Sequence, residues 1–242
     1  MAFKENSSIP LYRQVKNHIL TEIQAGKRKP GEQLKPEMEL SREYGVSRVT
    51  IRKALEELES EGYLVKQQGK GTFVSRPKLQ RKIDYVTSFS MACKYNDMVP
   101  TSLVVKSEVQ MQGSDPEVER FLELSEDDKI LYIQRLRLAD GEPVMLENNY
   151  YSWNRFQGLL AEDLTESVYG LLIYKYHVLP FGDAENTLEI VRANKEQAEL
   201  LRVPVGEPLF FMNGGISEPD KTPIHFGRQY IVGSRYKFTI KA

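Results

Sequence analysis

The chain has 242 residues, 40% of them hydrophobic and 28% charged, with a formal net charge of −1. That length suits two domains, the composition is ordinary for a globular protein, and no apolar run reaches the ~20 residues of a membrane span. The opening MAFKENSSIP lacks the apolar core of a signal peptide. One cysteine, Cys93, rules out an intrachain disulfide and a multi-cysteine zinc site, and His18, His177 and His225 lack metal-ligand spacing. The expectation is a cytoplasmic protein with no metal and no cofactor.

Charge is unevenly spread. Residues 1–78 hold 15 Lys and Arg against 10 Asp and Glu, while residues 79–242 hold 18 against 24. A basic head on an acidic body suits a chain that offers one end to a polyanion.

In chain order, Leu11, Val15, Ile19 and Ile23 recur every fourth residue and predict a helix, with Pro10 at its start and Gly26 at its end. Pro30-Gly31 marks a turn, and Pro36 opens a short second helix to about Tyr44. The tight turn Tyr44-Gly45-Val46 leads to a third helix from Ser47 to about Glu61. Its apolar positions Ile51, Ala54, Leu55 and Leu58 share one side, so Val49, Arg52 and Lys53 point away, with Arg48 at the boundary. Arg48, Thr50, Arg52 and Lys53 thus fall in the first two turns, where a major groove would meet them. Tyr63–Gln67 and Thr72–Ser75 read as strands joined by Gly69-Lys70-Gly71. A solvated face with Arg52 paired to Glu56 is the alternative for these basic residues.

The stretch LKPEMELSREYGVSRVTIRKALEELESEGYLVKQQGKGTFV resembles the winged helix-turn-helix of the GntR family of bacterial transcription regulators, over residues 9–75. The resemblance implies that Arg52 is the main base reader and Arg48 a base or phosphate contact. Ser47, Thr50 and Lys70 would mainly touch phosphates, and the wing glycine, Gly69, would enter the minor groove. Where the family has an arginine that often touches DNA, this chain has Met38, so either the operator differs at one position or Lys35 compensates through a phosphate. The domain is expected over 1–75, followed by a basic, proline-containing linker over 76–83.

Beyond the linker, strands dominate. Residues 102–111 predict one strand, and Asp115-Pro116 a short helix to Leu122. A hairpin follows: 130–138, a turn at 140–143, then 144–151. A helix is expected over 167–177 and a strand over 185–191. Asn194 with Gln197 marks a capping box for a helix to Leu201. A second hairpin spans 209–217 and 224–232, and a last strand 236–240. The fold class is α+β with an antiparallel sheet.

Alternation in 130–138 puts Leu131, Ile133, Arg135 and Arg137 on one face. Two arginines on an otherwise apolar face are costly unless exposed or paired with something negative. That something is either a bound phosphate or carboxylate or an internal partner such as Glu147. Arg228 and Tyr230, with Ile224 and Phe226, repeat the pattern on a later strand. Ser167 and Tyr169 stand near a helix start and read either as anion donors or as a cap and a core aromatic.

The order of elements over 84–242 is similar to the effector-binding UTRA domain of the HutC branch of that family, which has a chorismate-lyase-like fold. The resemblance is carried by Thr87-Ser88-Phe89-Ser90, by Arg135-Leu136-Arg137 with Asp140-Gly141-x-Pro143, by Glu147, by Ser167-x-Tyr169, and by Gly233-x-Arg235-Tyr236-x-Phe238. It implies an effector site at Ser88, Phe89, Ser90, Arg135, Arg137, Glu147, Ser167 and Tyr169, to which Arg228 and Tyr230 are added for their matching strand pattern, and a phosphorylated sugar or amino sugar as ligand. Ile231 replaces a tyrosine that is usual in the family's terminal strand. The implied protein is a homodimeric repressor that binds a palindromic operator in double-stranded DNA and is relieved by a small anionic metabolite. A regulator sensing a non-phosphorylated organic acid or amino acid is the near alternative. A chorismate-lyase-like enzyme is the distant one, since fold does not imply activity and no nucleophile-base constellation is visible.

Overall fold

The structure is a computed structural model that describes residues 9–67, 69–76, 78–82, 88–113, 115–180 and 185–240. The chain forms two compact units, Met1–Pro77 and Lys78–Ala242.

In the first unit, α1 (Leu11–Gln24) buries Val15 and Ile19. α2 (Glu37–Tyr44) starts after Pro36, whose fixed φ suits a helix entry. It ends at Gly45, which has φ +65°, a left-handed conformation that favours glycine. The Ser41 hydroxyl donates to the Val46 carbonyl at 2.6 Å and tightens the turn. α3 (Arg48–Ser60) opens on Ser47, whose Oγ accepts the Thr50 N–H. Ile51, Ala54, Leu55 and Leu58 pack with Val15, Ile19 and Leu40 in one core. β1 (Leu64–Gln67) and β2 (Gly71–Val74) pair antiparallel, with Gln67 opposite Gly71. Leu64 and Val74 enter the helical core, which anchors the wing.

The second unit begins earlier than the sequence suggests. Within the linker expected over 76–83, residues 79–82 are a strand: β3 (Leu79–Lys82) pairs in parallel with β10 (Tyr236–Thr239). Leu79 is fully buried and packs with Phe89 and Tyr236. That burial, worth roughly 1.5–3 kcal/mol for a leucine, together with the ladder, draws the segment into the domain despite the charges of Lys78, Arg81 and Lys82. Next come α4 (Phe89–Tyr95), β4 (Pro100–Met111), α5 (Pro116–Phe121), β5 (Lys129–Ala139), β6 (Glu142–Ser152) and α6 (Trp153–Phe156). A 3-10 turn, Gln157–Ala161, follows α6. The chain continues with α7 (Val168–Tyr174), β7 (Asn186–Arg192), α8 (Lys195–Leu201), β8 (Pro208–Ser217), β9 (Pro223–Val232) and β10. Asn194 and Gln197 form the expected capping box. The short helices α4 and α6 were not expected.

Six strands form one antiparallel sheet in the order β4-β5-β6-β9-β8-β7. The α+β class read from the sequence is therefore the one found. β5 and β6 turn at Asp140 and Gly141, both with positive φ, 50° and 75°, as a twist-matched two-residue hairpin requires. One face of the sheet is covered at one end by β3, α4 and β10 around Leu79, Phe89, Met145 and Ile231. At its other end, α6, the 3-10 turn and α7 cover Leu131, Ile133 and Tyr151. The opposite face carries α8 over Leu136, Leu146 and Val232, and α5 over Ile130 and Phe226. The middle of each face is polar, and that gap positions the site.

Candidate nucleic-acid interface and buried arginine site

The first unit presents its basic residues together. Lys35, Ser47, Arg48, Arg52, Lys53, Gly69 and Lys70 are exposed, and Thr50 is half-buried beside the Ser47 cap. Val49, between Arg48 and Thr50, is 75% exposed, so the outward face of α3 is not packed. Arg52 does not pair with Glu56 as an i,i+4 reading suggests. Its Nη2 reaches Glu37 Oε2 of α2 at 3.0 Å. The Arg52 hydrogen bond lowers the Glu37 carboxyl below its usual range, and Glu37 in turn raises Arg52. An exposed pair of this kind is weak, so a competing acceptor displaces Glu37 at little cost. Lys35 is held by Glu43 at 2.8 Å, and Lys53 lies 4.0 Å over the Tyr12 ring. In the wing, Gln33 Nε2 donates to the Lys70 carbonyl at 2.7 Å. A Cβ on Gly71 would meet that nitrogen at 2.8 Å, so Gly71 lets the wing close against Gln33.

In the second unit, Arg135 and Glu147 stand directly opposite in the β5–β6 register, and their side chains meet at 2.5 Å. Arg135 also donates from Nη1 to the Leu164 carbonyl at 3.3 Å and the Glu166 carbonyl at 3.1 Å. Arg137 is bound more loosely. Its Nη1 is 3.9 Å from Glu147, and its guanidinium lies 4.5 Å from the Phe89 ring centroid. Both arginines are nearly inaccessible, at 2% and 3% exposure. Even so, Arg135 Nε, Arg137 Nε and Arg137 Nη1 have no hydrogen-bond partner.

The electrostatics follow from burial and pairing. Burial opposes the Glu147 charge, but Arg135 and Arg137 outweigh it and hold the carboxyl at about 2. Burial pulls Arg137 down to about 10, with Glu147 acting against it and Arg135 with it. Cys93 is pushed up to about 12 by burial, which makes it an inert thiol. Two guanidiniums share one carboxylate here, leaving the cluster net positive with donor atoms unpaired.

Internal pairing thus describes most of Arg135, which leaves only its Nε without a partner, while Arg137 is without one at both Nε and Nη1. Phe89 joins the cluster through Arg137, and Ser88 and Ser90 flank it. Ser88 caps α4 through the Met91 N–H, and Thr87 lies outside the described residues. Ser167 caps α7 through the Gly170 N–H and follows Glu166, whose carbonyl holds Arg135. Tyr169 Oη lies 3.2 Å from His225 Nε2.

Arg228 and Tyr230 do not join this site. Register explains the correction: Arg228 pairs with Asn148 and Tyr230 with Leu146, whereas Glu147 faces Gln229. Side chains alternate along a strand, so Arg228 and Tyr230 project from the opposite face. There they line a cavity of about 180 Å³ with Gln134, Asn148 and Tyr150. Arg228 is saturated by Asp115, by Glu117 at 2.8 Å and by Asn213 at 3.1 Å.

Sequence reasoning missed Asn149 and His225, which are buried on the face of Arg135. Continuing the alternation from Glu147 to Asn149 would have found the first. His225 is held near 4, mainly by burial, and so is neutral. No group of His, Cys, Asp and Glu among the described residues is arranged to hold a metal ion, and no described helix is long and apolar enough to cross a membrane.

Comparison with known proteins agrees with both units. Residues 11–74 match the family described as bacterial regulatory proteins, gntR family, and residues 96–237 match the UTRA domain. The chain is 31% identical to the HTH-type transcriptional repressor NagR of Bacillus subtilis, covering 98% of this chain and 97% of that one. It is 28% identical to the probable fructoselysine utilization operon transcriptional repressor of Escherichia coli K12, covering 95% and 93%. PhnF from Mycobacterium smegmatis shares the fold with a TM-score of 0.68 at 23% identity, over 96% of this chain and 99% of that one. With a reading helix and wing at one end and a UTRA domain over more than half its length, the chain belongs to the HutC branch of the gntR family and is a transcription regulator rather than an enzyme.

Proposed function

We propose that the protein is a repressor that binds a palindromic operator as a homodimer and is released by a small anionic metabolite, a sugar phosphate in the first instance. Arg52 and Arg48 read bases from α3. Ser47, Thr50, Lys53, Lys35 and Lys70 hold phosphates, and Gly69 lets the wing approach the minor groove. One winged helix reads few base pairs, so a two-fold site supplies the missing affinity.

The observation that carries the effector reading is the pair of buried guanidiniums with unpaired donor atoms beside a single carboxylate. An unpaired buried donor costs about 1–3 kcal/mol, and an oxyanion placed against Arg137 removes that cost. Phe89, Ser88, Ser90, Ser167 and Tyr169 border the same cluster and supply its remaining contacts. A relative named for fructoselysine utilization supports a sugar-derived ligand.

The test starts with an operator selected from random duplexes by the wild-type protein. Its binding is then titrated with inorganic phosphate, glycerol 3-phosphate, glucose 6-phosphate and glucosamine 6-phosphate. A sugar phosphate is expected to weaken operator binding by about 5- to 150-fold, the usual span of allosteric coupling. Arg137→Met should abolish that response while leaving effector-free operator binding intact, because Glu147 keeps Arg135. Arg52→Ala should lose the operator itself, by about ten- to a hundredfold per half-site. A full response in Arg137→Met would end the anion-site reading.

A further inference from the structure

The outward face of α3 is basic, and one residue on it is apolar. Val49 is the most exposed of the large hydrophobic residues described in the first unit. It stands second in the helix, between Arg48 and Thr50, just after the Ser47 cap. The polar groups around it are engaged within the chain. Thr50 Oγ1 lies 2.8 Å from Ser47 Oγ, Arg52 is held by Glu37, and the Lys53 ammonium sits over the Tyr12 ring. Val49 has no hydrogen-bonding side chain and lies largely in water. Helix stability does not call for it, because a β-branched residue is a poorer helix former than alanine. Core packing does not call for it either, since Ile51, Ala54, Leu55 and Leu58 fill the buried side of α3. An apolar side chain with neither use, bordered by arginines and a lysine, suits a partner that is anionic around its rim and apolar at one point.

We propose that Val49 is a specificity residue that reads the C5-methyl group of one thymine in each operator half-site, a role that rests on α3 being the helix that enters the major groove. In that groove every base pair offers hydrogen-bonding atoms, and thymine alone adds a methyl group. Valine cannot pair with a base donor or acceptor. Placed against the bases, it favours thymine by contact and disfavours cytosine by leaving an amino group unpaired. In a helix valine keeps to one strongly preferred χ1 rotamer, so its two methyl groups are held in place and little freedom is lost on contact. Helix spacing locates the thymine. Val49 and Arg52 are three residues apart, about 4.5 Å along the helix axis, and base pairs rise about 3.4 Å each. The thymine therefore lies one or two base pairs from the pair that Arg52 reads. Burying one methyl group against another is worth about three- to fivefold in affinity per half-site.

The experiment uses the full-length protein and the operator it selects from random duplexes. Each thymine is replaced in turn, symmetrically in both half-sites, by deoxyuridine, which removes only the methyl group. Affinity is measured for wild type, Val49→Ala, Arg52→Ala and Met38→Ala, since Met38 is the other exposed apolar side chain of α2 and α3. At one thymine, within two base pairs of the position that Arg52→Ala no longer discriminates, deoxyuridine is expected to weaken wild type about ten- to twenty-fivefold over the two half-sites. The same replacement should change Val49→Ala by less than about twofold, because alanine leaves the methyl group without its contact. Alanine is the better helix former at an exposed site, so this variant keeps the fold, with its thermal midpoint as the control. The assignment to Val49 is overturned if no thymine of the half-site carries a methyl cost, or if the cost persists in Val49→Ala. A cost that persists there and vanishes in Met38→Ala would overturn it in favour of the start of α2. Full operator affinity in Arg52→Ala, with a methyl cost that still depends on Val49, would overturn the Arg52 reading and leave Val49 standing.

Discussion

The two faces of the six-stranded sheet carry the same residue types in opposite states. On one face Arg228 sits among Asp115, Glu117 and Asn213, partly open to water. On the other, Arg135 and Arg137 share Glu147, almost fully buried, with three guanidinium nitrogens unpaired. Saturated and half-accessible charge holds a sheet to its helix. Unsaturated and buried charge is costly by itself, which is why the proposed anion site is placed there. The count of arginines on a strand therefore says less about a binding site than how many of their donors are already occupied.

The comparison breaks most easily at the carboxylates. Glu147→Ala removes the acceptor shared by two buried guanidiniums and should destabilise the protein by about 3–5 kcal/mol, measured by urea denaturation. Glu117→Ala leaves Arg228 with Asp115 and Asn213, and should cost about 1 kcal/mol or less. Equal losses at the two positions would mean that burial does not separate the faces.

The next largest effect is on pH dependence. His225 is neutral because burial lowers it to about 4, against an ordinary value near 6.5. Its folded value is depressed, so the unfolded chain binds more protons between about pH 6.5 and 4. Stability should rise with pH across that window and fall on acidification, by about 3 kcal/mol in all. His225→Gln should flatten the slope there. Glu147, held at about 2, contributes stability above its unfolded value near 4.5 and loses it only as pH falls towards 2. Its share of acid unfolding should therefore lie below the His225 window.

A smaller effect tests the exposed pair of the first unit, an external counterpart of the saturated Arg228. Glu37→Gln frees Arg52 from its only ionic partner on α2. Operator affinity should rise by about two- to fivefold at low salt, the range of an exposed ion pair, with the gain shrinking as salt screens it. An unchanged affinity would show that Glu37 does not compete with DNA for Arg52.

The reading unit was legible in the sequence because its signals are local. The Ser47 cap, the Gly45 turn, the four-residue apolar repeat of α3 and the glycines of the wing each act within a few neighbours. The arginine face of β5 was legible for the same reason, since alternation is a property of one strand. The opposite placement of Arg228 was not, because which face a residue occupies depends on the partner strand, and Arg228 pairs with Asn148 rather than Glu147. β3 was hidden for a related reason. Its four residues are mostly polar, and only the distant β10 makes them a strand. Asn149 and His225 belong to neighbouring strands, and they share a face only once β6 and β9 are in register.

The parallel pairing of β3 with β10 also bears on how the chain is made. Gln80 Nε2 donates to Thr239 Oγ1 across 159 residues of chain, so the first strand of the effector domain waits for nearly the whole domain to be synthesised before it finds its partner. Contacts so distant close late and slowly, whereas the winged helix is complete once its own residues have emerged. During synthesis a folded DNA-reading head precedes a body that is still open. Nascent chains are then able to sample nucleic acid before they are able to sense any metabolite, and an early truncation would leave a reader without its control.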